Sequence, residues 1–222
     1  MNTTKILGYL GLLAAVLVGV GEYFLHYSAN VLEYGKNYEF FKFVPAGNLS
    51  IGHFLAVIGL PFYFAGYLHI YRMLRSGSEG LARVVLAIGF VAFAVGGIWI
   101  GSRVTIGTLM QQQANLTPET FQLLADTYTA HHEVLVQALR VIILVLSVVF
   151  VVAILRGGTY YRKWMAFFNP ILILLLVFST IFIAPFIGKH LAPIAMNVAH
   201  FVLFSVSLYQ LSLFEKREVI AA

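Results

Sequence analysis

Six long apolar runs separated by short polar segments organise this sequence, at about 5–27, 50–74, 82–109, 130–155, 164–187 and 191–213. The runs are continuous rather than alternating; between Val141 and Leu155 the only polar residue is Ser147. In lipid, backbone polar groups must be satisfied within each segment, so apolar runs of this length are helices. Strands of a membrane barrel would show short stretches of alternating polarity instead. The predicted fold class is an all-α integral membrane protein, a single-domain six-transmembrane-helix bundle over residues 1–222.

The first run begins after Lys5 and resembles the charged start and apolar centre of a signal peptide. It passes straight into Gly21-Glu22-Tyr23, and only a poor small-residue site follows at Ser28-Ala29, so it reads as a retained first span. Between runs, residues 28–49 collect Tyr34, Tyr38, Phe40, Phe41 and Phe43 among charges, a composition suited to a segment lying at the membrane surface or capping the bundle. Residues 115–129 form an outer helical loop. Thr117-Pro118-Glu119 there is a helix start, with a capping hydroxyl, Pro at the first position and an acid in the first turn. Pro61, Pro170, Pro185 and Pro193 are positioned to kink the second, fifth and sixth runs.

Composition narrows the class further. The chain is 60% hydrophobic and 10% charged, against roughly 25% charged in soluble domains. That excludes a water-soluble globular protein, a disordered chain and a nucleic-acid-binding module, despite a net charge of +5. With no cysteine, thiol catalysis, disulfides and cysteine-rich metal sites are excluded too. The basic residues serve topology. Lys5, Arg72, Arg75, Arg83, Arg156, Arg162, Lys163, Lys216 and Arg217 fall on one side, Lys36, Lys42 and Lys189 on the other. This bias predicts cytoplasmic N- and C-termini in a bacterial-type inner membrane.

The remaining polar residues carry the chemistry. Ionisable groups inside a membrane cost about 2.5–3.5 kcal/mol each on insertion scales and point to function by default. Sorted by depth, Glu22, His26, His53, Trp99, Arg103, His131, His132, Glu133, Arg140, Asn197 and His200 all fall toward the outer side, leaving only His69 and Asn169 in the inner half. Glu22 and His26, and Trp99 and Arg103, are four apart, while Asn197 and His200 are three apart, so each pair shares a helix face. Gly96, Gly97 and Gly101 would let a neighbouring helix or a ligand approach the third span closely. Asn169 and Asn197 read as helix-joining hydrogen-bond groups.

These residues predict a polar cavity in the outer half of the bundle, facing the periplasm or exterior. The leading expectation is an enzyme acting on a lipidic or amphipathic substrate, with Glu22, His26, Arg103 and His132 as catalytic candidates. Trp99, Glu133, Arg140 and Asn197 are the substrate-binding candidates. In a metal-dependent version a divalent ion is held by His26, His53 and His200, although no compact ligand motif is present. A binding, sensing or transport protein for a small polar or anionic ligand is the first alternative. A single-haem b-type electron-transfer protein, with two axial histidines, is the second. Glu22, Glu133, Arg103 and Arg140 also sum to zero charge, which fits two ion pairs that only hold the bundle together. The bilayer is the one certain partner; nucleic acid is excluded, and association into oligomers is left open.

Overall fold

The computed structural model describes residues 3–28 and 36–221, and these are helical, with no strand among them. Residues 29–35 of the aromatic outer loop, Tyr34 included, lie outside the described residues. The α-helices are α1 (Thr3–His26), α2 (Ala46–Leu74), α3 (Glu79–Gln111), α4 (Pro118–Arg156), α5 (Pro170–Ile183), α6 (Pro185–Leu191) and α7 (Ala195–Ala221), with short 3₁₀ turns at Lys36–Phe43, Gln113–Asn115, Lys163–Phe168 and Ala192–Ile194. Five helices are long and apolar enough to cross a membrane: α1 to α4, and the run Pro185–Lys216 that joins α6 to α7. The outward face of α4 carries Val141, Leu144 and Val148, and that of the shorter α5 carries Leu175 and Phe182, which suits a lipid surround.

The run expected at 164–187 differs from this pattern. Asn169 caps α5, its Oδ1 accepting from the Leu172 amide, with Pro170 in the first turn. At the far end Ala184 leaves the helical region (φ −143°, ψ 75°) because Pro185 follows it. Only 14 helical residues separate these two signals, roughly 21 Å of rise against a hydrocarbon core of about 30 Å. Pro170 and Pro185 therefore start helices instead of kinking them, Pro193 sits in a 3₁₀ turn, and α2 runs unbroken through Pro61.

At the other end of the comparison, the outer helical loop and the fourth run form one helix of 39 residues, and Thr117 caps it as its sequence implies, Oγ1 accepting from the Thr120 amide. The closest helix approach is between α1 and α2, where small residues face one another. A Cβ on Gly11 would lie 2.8 Å from the Gly66 Cα, and one on Gly52 2.5 Å from the Gly21 carbonyl oxygen. In α3, Gly96 and Gly101 meet nothing within 4 Å, so no helix uses them for close approach.

The bundle is tied at the end carrying Thr3 and Leu74 by a chain of buried polar groups. The Tyr161 hydroxyl lies 2.6 Å from Ser207 Oγ, and that oxygen lies 2.6 Å from His69 Nε2. His69 Nδ1 is 2.8 Å from the Thr4 carbonyl oxygen. Since a carbonyl only accepts, Nδ1 carries the proton, Nε2 accepts from Ser207, and Ser207 accepts from Tyr161. Four parts of the chain are thereby joined through one ordered line.

Candidate functional site

Toward the His26 end of the bundle lies a cavity of about 420 Å³ between α1, α2, α3, α4, α5 and the start of α7, a size typical of small-molecule sites. Most of its wall is apolar: Leu60, Phe93, Ile100, Leu139, Ile143, Leu174 and Phe178 among others. Glu22, His26, Trp99, Arg103, Arg140 and Asn197 supply the polar part. Gly96 lines it as well, its missing side chain leaving open space.

Two hydrogen-bonded lines shape the polar end. In the first, the Tyr63 hydroxyl donates to Asn197 Oδ1 at 2.7 Å, and Asn197 Nδ2 donates to Glu22 Oε2 at 2.6 Å. Asn197 is thus a bridge joining α2, α7 and α1, as a helix-joining amide should be. In the second, Arg103 Nε donates to His26 Nε2 at 2.7 Å. An imidazole nitrogen that accepts cannot carry a proton, so the network assigns the His26 proton to Nδ1, which faces the Pro193 carbonyl at 3.4 Å. His26 is therefore neutral in this arrangement.

Arg103 is walled by aromatic rings. Its Cζ lies 5.1 Å from the Trp99 ring centroid, 5.4 Å from Phe41, 5.6 Å from Tyr38 and 5.9 Å from Phe40, within the range of cation–π attraction. Three of these rings come from the 36–43 segment, which caps the bundle and is held to α3 by Gln111 Nε2 donating to the Phe41 and Val44 carbonyls. Burial, and then its hydrogen bond to Glu133, push the Tyr38 phenol up to about 12. Among the described residues no acid lies within ion-pair distance of Arg103 or Arg140; the ion pairs there are Lys5–Glu215, Lys42–Glu39 and Arg83–Glu79. The two structural ion pairs suggested by the sequence are not formed.

The histidines divide. His200 is buried, but its Nδ1 meets the Met196 carbonyl and its Nε2 the Tyr67 hydroxyl, each at 2.8 Å. Its ring packs edge-on against Tyr63 and Phe93. Both nitrogens of His200 and both of His26 are thus engaged by the protein, and His53 lies against Phe54 with Nδ1 unpartnered. Among the described residues no three His, Cys, Asp or Glu are grouped to hold a metal ion. The triad His26, His53 and His200 is not brought together, and neither His26 nor His200 has a free nitrogen for an axial bond to haem.

His132 is buried beside the cavity, Nδ1 2.6 Å from Ser102 Oγ, its ring stacked on Trp99 at 5.9 Å between centroids. Ser102 donates back to the Trp99 carbonyl at 2.7 Å. Two buried groups are left without partners here, His132 Nε2 and the Trp99 indole Nε1. Glu133 turns to the surface and accepts from Tyr38 instead of facing the cavity. His131 is exposed, and His190 lies 2.8 Å from the Tyr23 hydroxyl and stacks on Tyr27. Tyr63, Tyr67 and Ser102 were not singled out by sequence; spacing of four between the two tyrosines is the signal that marks them as one face.

This chain belongs to the Family of unknown function (DUF6796), whose family model matches residues 1–213. No curated protein and no solved structure matches it significantly.

Proposed function

We propose that this protein binds an amphipathic, lipid-derived molecule taken from the bilayer. The observation that carries this reading is the two-part lining of one cavity, apolar along α4 and α5 and polar where Glu22, His26, Trp99, Arg103 and Asn197 converge. Leu175 and Phe178 line the cavity and are also exposed on the apolar exterior. A lipid tail reaches such a space from the side without crossing water. We read the 3₁₀ turn Lys163–Phe168 together with α5 as a sixth crossing, which returns both termini to one side. The bias of basic residues makes that side cytoplasmic in a bacterial-type inner membrane, with the cavity in the outer half.

The test is native mass spectrometry of protein released from detergent after incubation with a membrane lipid extract. A bound amphiphile of discrete mass at one per chain supports the reading. Wild-type protein that carries no amphiphile of discrete mass, or no more than a folded variant with the cavity filled by Gly96→Leu, counts against it.

Catalysis on such a ligand is the second reading, and one observation favours it. Glu22 lines the cavity, and Asn197 occupies only its Oε2, leaving Oε1 without a partner among the described residues. A carboxylate oxygen held open to a ligand is placed to accept a proton. Radiolabelled lipid extract incubated with reconstituted protein should then give a product with wild type and none with Glu22→Gln. Identical chromatograms with and without the wild-type protein would remove the enzymatic reading and leave binding intact.

A further inference from the structure

The unpartnered donors around the cavity outnumber the acceptors open to them, and that mismatch describes the missing partner. Arg103 spends only its Nε, on His26; its two terminal nitrogens donate to none of the described residues. Arg guanidinium is a donor-only group with a fixed positive charge. The Trp99 indole N–H, also donor-only, is buried without a partner on a ring 5.1 Å from the same guanidinium. Arg140, the second cation on the cavity wall, likewise has no ion-pair partner among the described residues. Among the described residues the acid on this wall is Glu22, with Oε2 accepting from Asn197 and Oε1 open; Glu133, outside the wall, also attracts Arg103. His26 adds no charge, because its Nε2 accepts.

On the binding reading above, we infer that the ligand carries an anionic head, a carboxylate or a phosphate, bound at Arg103 and Trp99 Nε1, with its alkyl chain along α4 and α5. An anion supplies acceptors for the guanidinium in paired, charge-assisted geometry, which is the strong form of such bonds. It also balances the excess of one positive charge in the lining, where unpaired intramembrane charge is costly. A neutral head such as an alcohol would satisfy one donor and leave the charge unmatched. The rings of Tyr38, Phe40, Phe41 and Trp99 hold the guanidinium in place while leaving its donors free, which a carboxylate partner from the protein would not do.

The test uses three labelled probes of one chain length: palmitate, hexadecyl phosphate and hexadecanol, each incubated with purified full-length protein in a neutral detergent, and the retained label counted. At least one of the two anions should be retained tenfold or more over hexadecanol by wild type, and which of them leads identifies the head. Arg103→Gln should bring anion retention down to the hexadecanol level while leaving hexadecanol unchanged. Should Arg103→Gln fail to fold, Trp99→Phe, which keeps a ring and loses the N–H, should weaken the anion several-fold and spare the alcohol. Equal retention of all three probes by wild type, or a preference for anions that survives both substitutions, would overturn the anionic head while leaving the cavity reading in place. Retention of none of them would overturn both.

Discussion

Arg103 Nε donates to His26 Nε2 at 2.7 Å, so a cation on α3 is anchored by a neutral imidazole on α1 rather than by an acid. The bond fixes both the guanidinium's direction and the imidazole's tautomer. ¹⁵N-resolved NMR of labelled His26 should show a protonated Nδ1 and a bare Nε2. Replacing Arg103 with Leu should mix the two tautomers. A His26 that is protonated on Nε2 in the wild type would contradict the arrangement.

Asn197 joins three helices through one amide, accepting from Tyr63 and donating to Glu22. Asn197→Ala leaves a buried phenol and a buried carboxylate short of partners. The expected cost is about 1–3 kcal/mol, read as a lower unfolding temperature in detergent. Tyr63→Phe, which removes one donor and strands only an amide oxygen, should cost less.

The line Tyr161–Ser207–His69–Thr4 lies away from the cavity, and its role is to hold the chain together. Ser207→Ala interrupts it at the centre and should lower stability by about 1–3 kcal/mol. Retention of an amphiphile by the folded fraction should not change. A loss of binding in folded Ser207→Ala protein would mean that the two ends of the bundle are coupled.

Glycines in α1 and α2 and glycines in α3 should respond in opposite ways. A methyl at Gly52 meets the Gly21 carbonyl at 2.5 Å, backbone that cannot move aside cheaply. Gly52→Ala should therefore destabilise by about 1–3 kcal/mol through overpacking. Gly96→Ala, with nothing within 4 Å, should be neutral or slightly stabilising, as Ala is the better helix former by up to about 1 kcal/mol. Thermal unfolding of the two variants side by side decides it.

Glu22 is the acid on the cavity wall among the described residues, so its charge opposes an anionic ligand. Glu22→Gln preserves the acceptor for Asn197 and removes the negative charge. Retention of palmitate or hexadecyl phosphate should rise several-fold, and hexadecanol should be unaffected. A fall in anion retention would mean that Glu22 contributes attraction, through a shared proton, instead of repulsion.

Much of this arrangement is legible in the sequence. The first four helices follow from uninterrupted apolar runs, and the start of α4 from Thr117 and Pro118, because capping is local chemistry. Ala184-Pro185 was equally visible, yet the apolar residues on both sides masked the break, since hydropathy does not report backbone continuity. Glu22 and His26 stayed together as four-residue spacing requires, and so did Trp99 and Arg103. Asn197 and His200, three apart, also share a face, since both meet Tyr63 on α2, but only Asn197 lines the cavity. Which residues a helix face meets depends on the rotation of the whole helix, which spacing along one helix does not report. Tyr63 and Tyr67 escaped notice because a membrane tyrosine reads first as an interfacial anchor. The histidines shared a depth without sharing a site, because depth does not say which nitrogens the backbone and hydroxyls have already taken.

The central claim is that the cavity beside Gly96 holds an amphiphile, and filling that cavity tests it most directly. Leucine at position 96 would project into open space rather than into protein. The decisive measurement is the amount of lipid retained per folded chain, by native mass spectrometry, across wild type, Gly96→Ala and Gly96→Leu. Retention should fall stepwise along the series and be lost in Gly96→Leu, with thermal stability no lower than that of wild type. Full retention by a folded Gly96→Leu protein would contradict it.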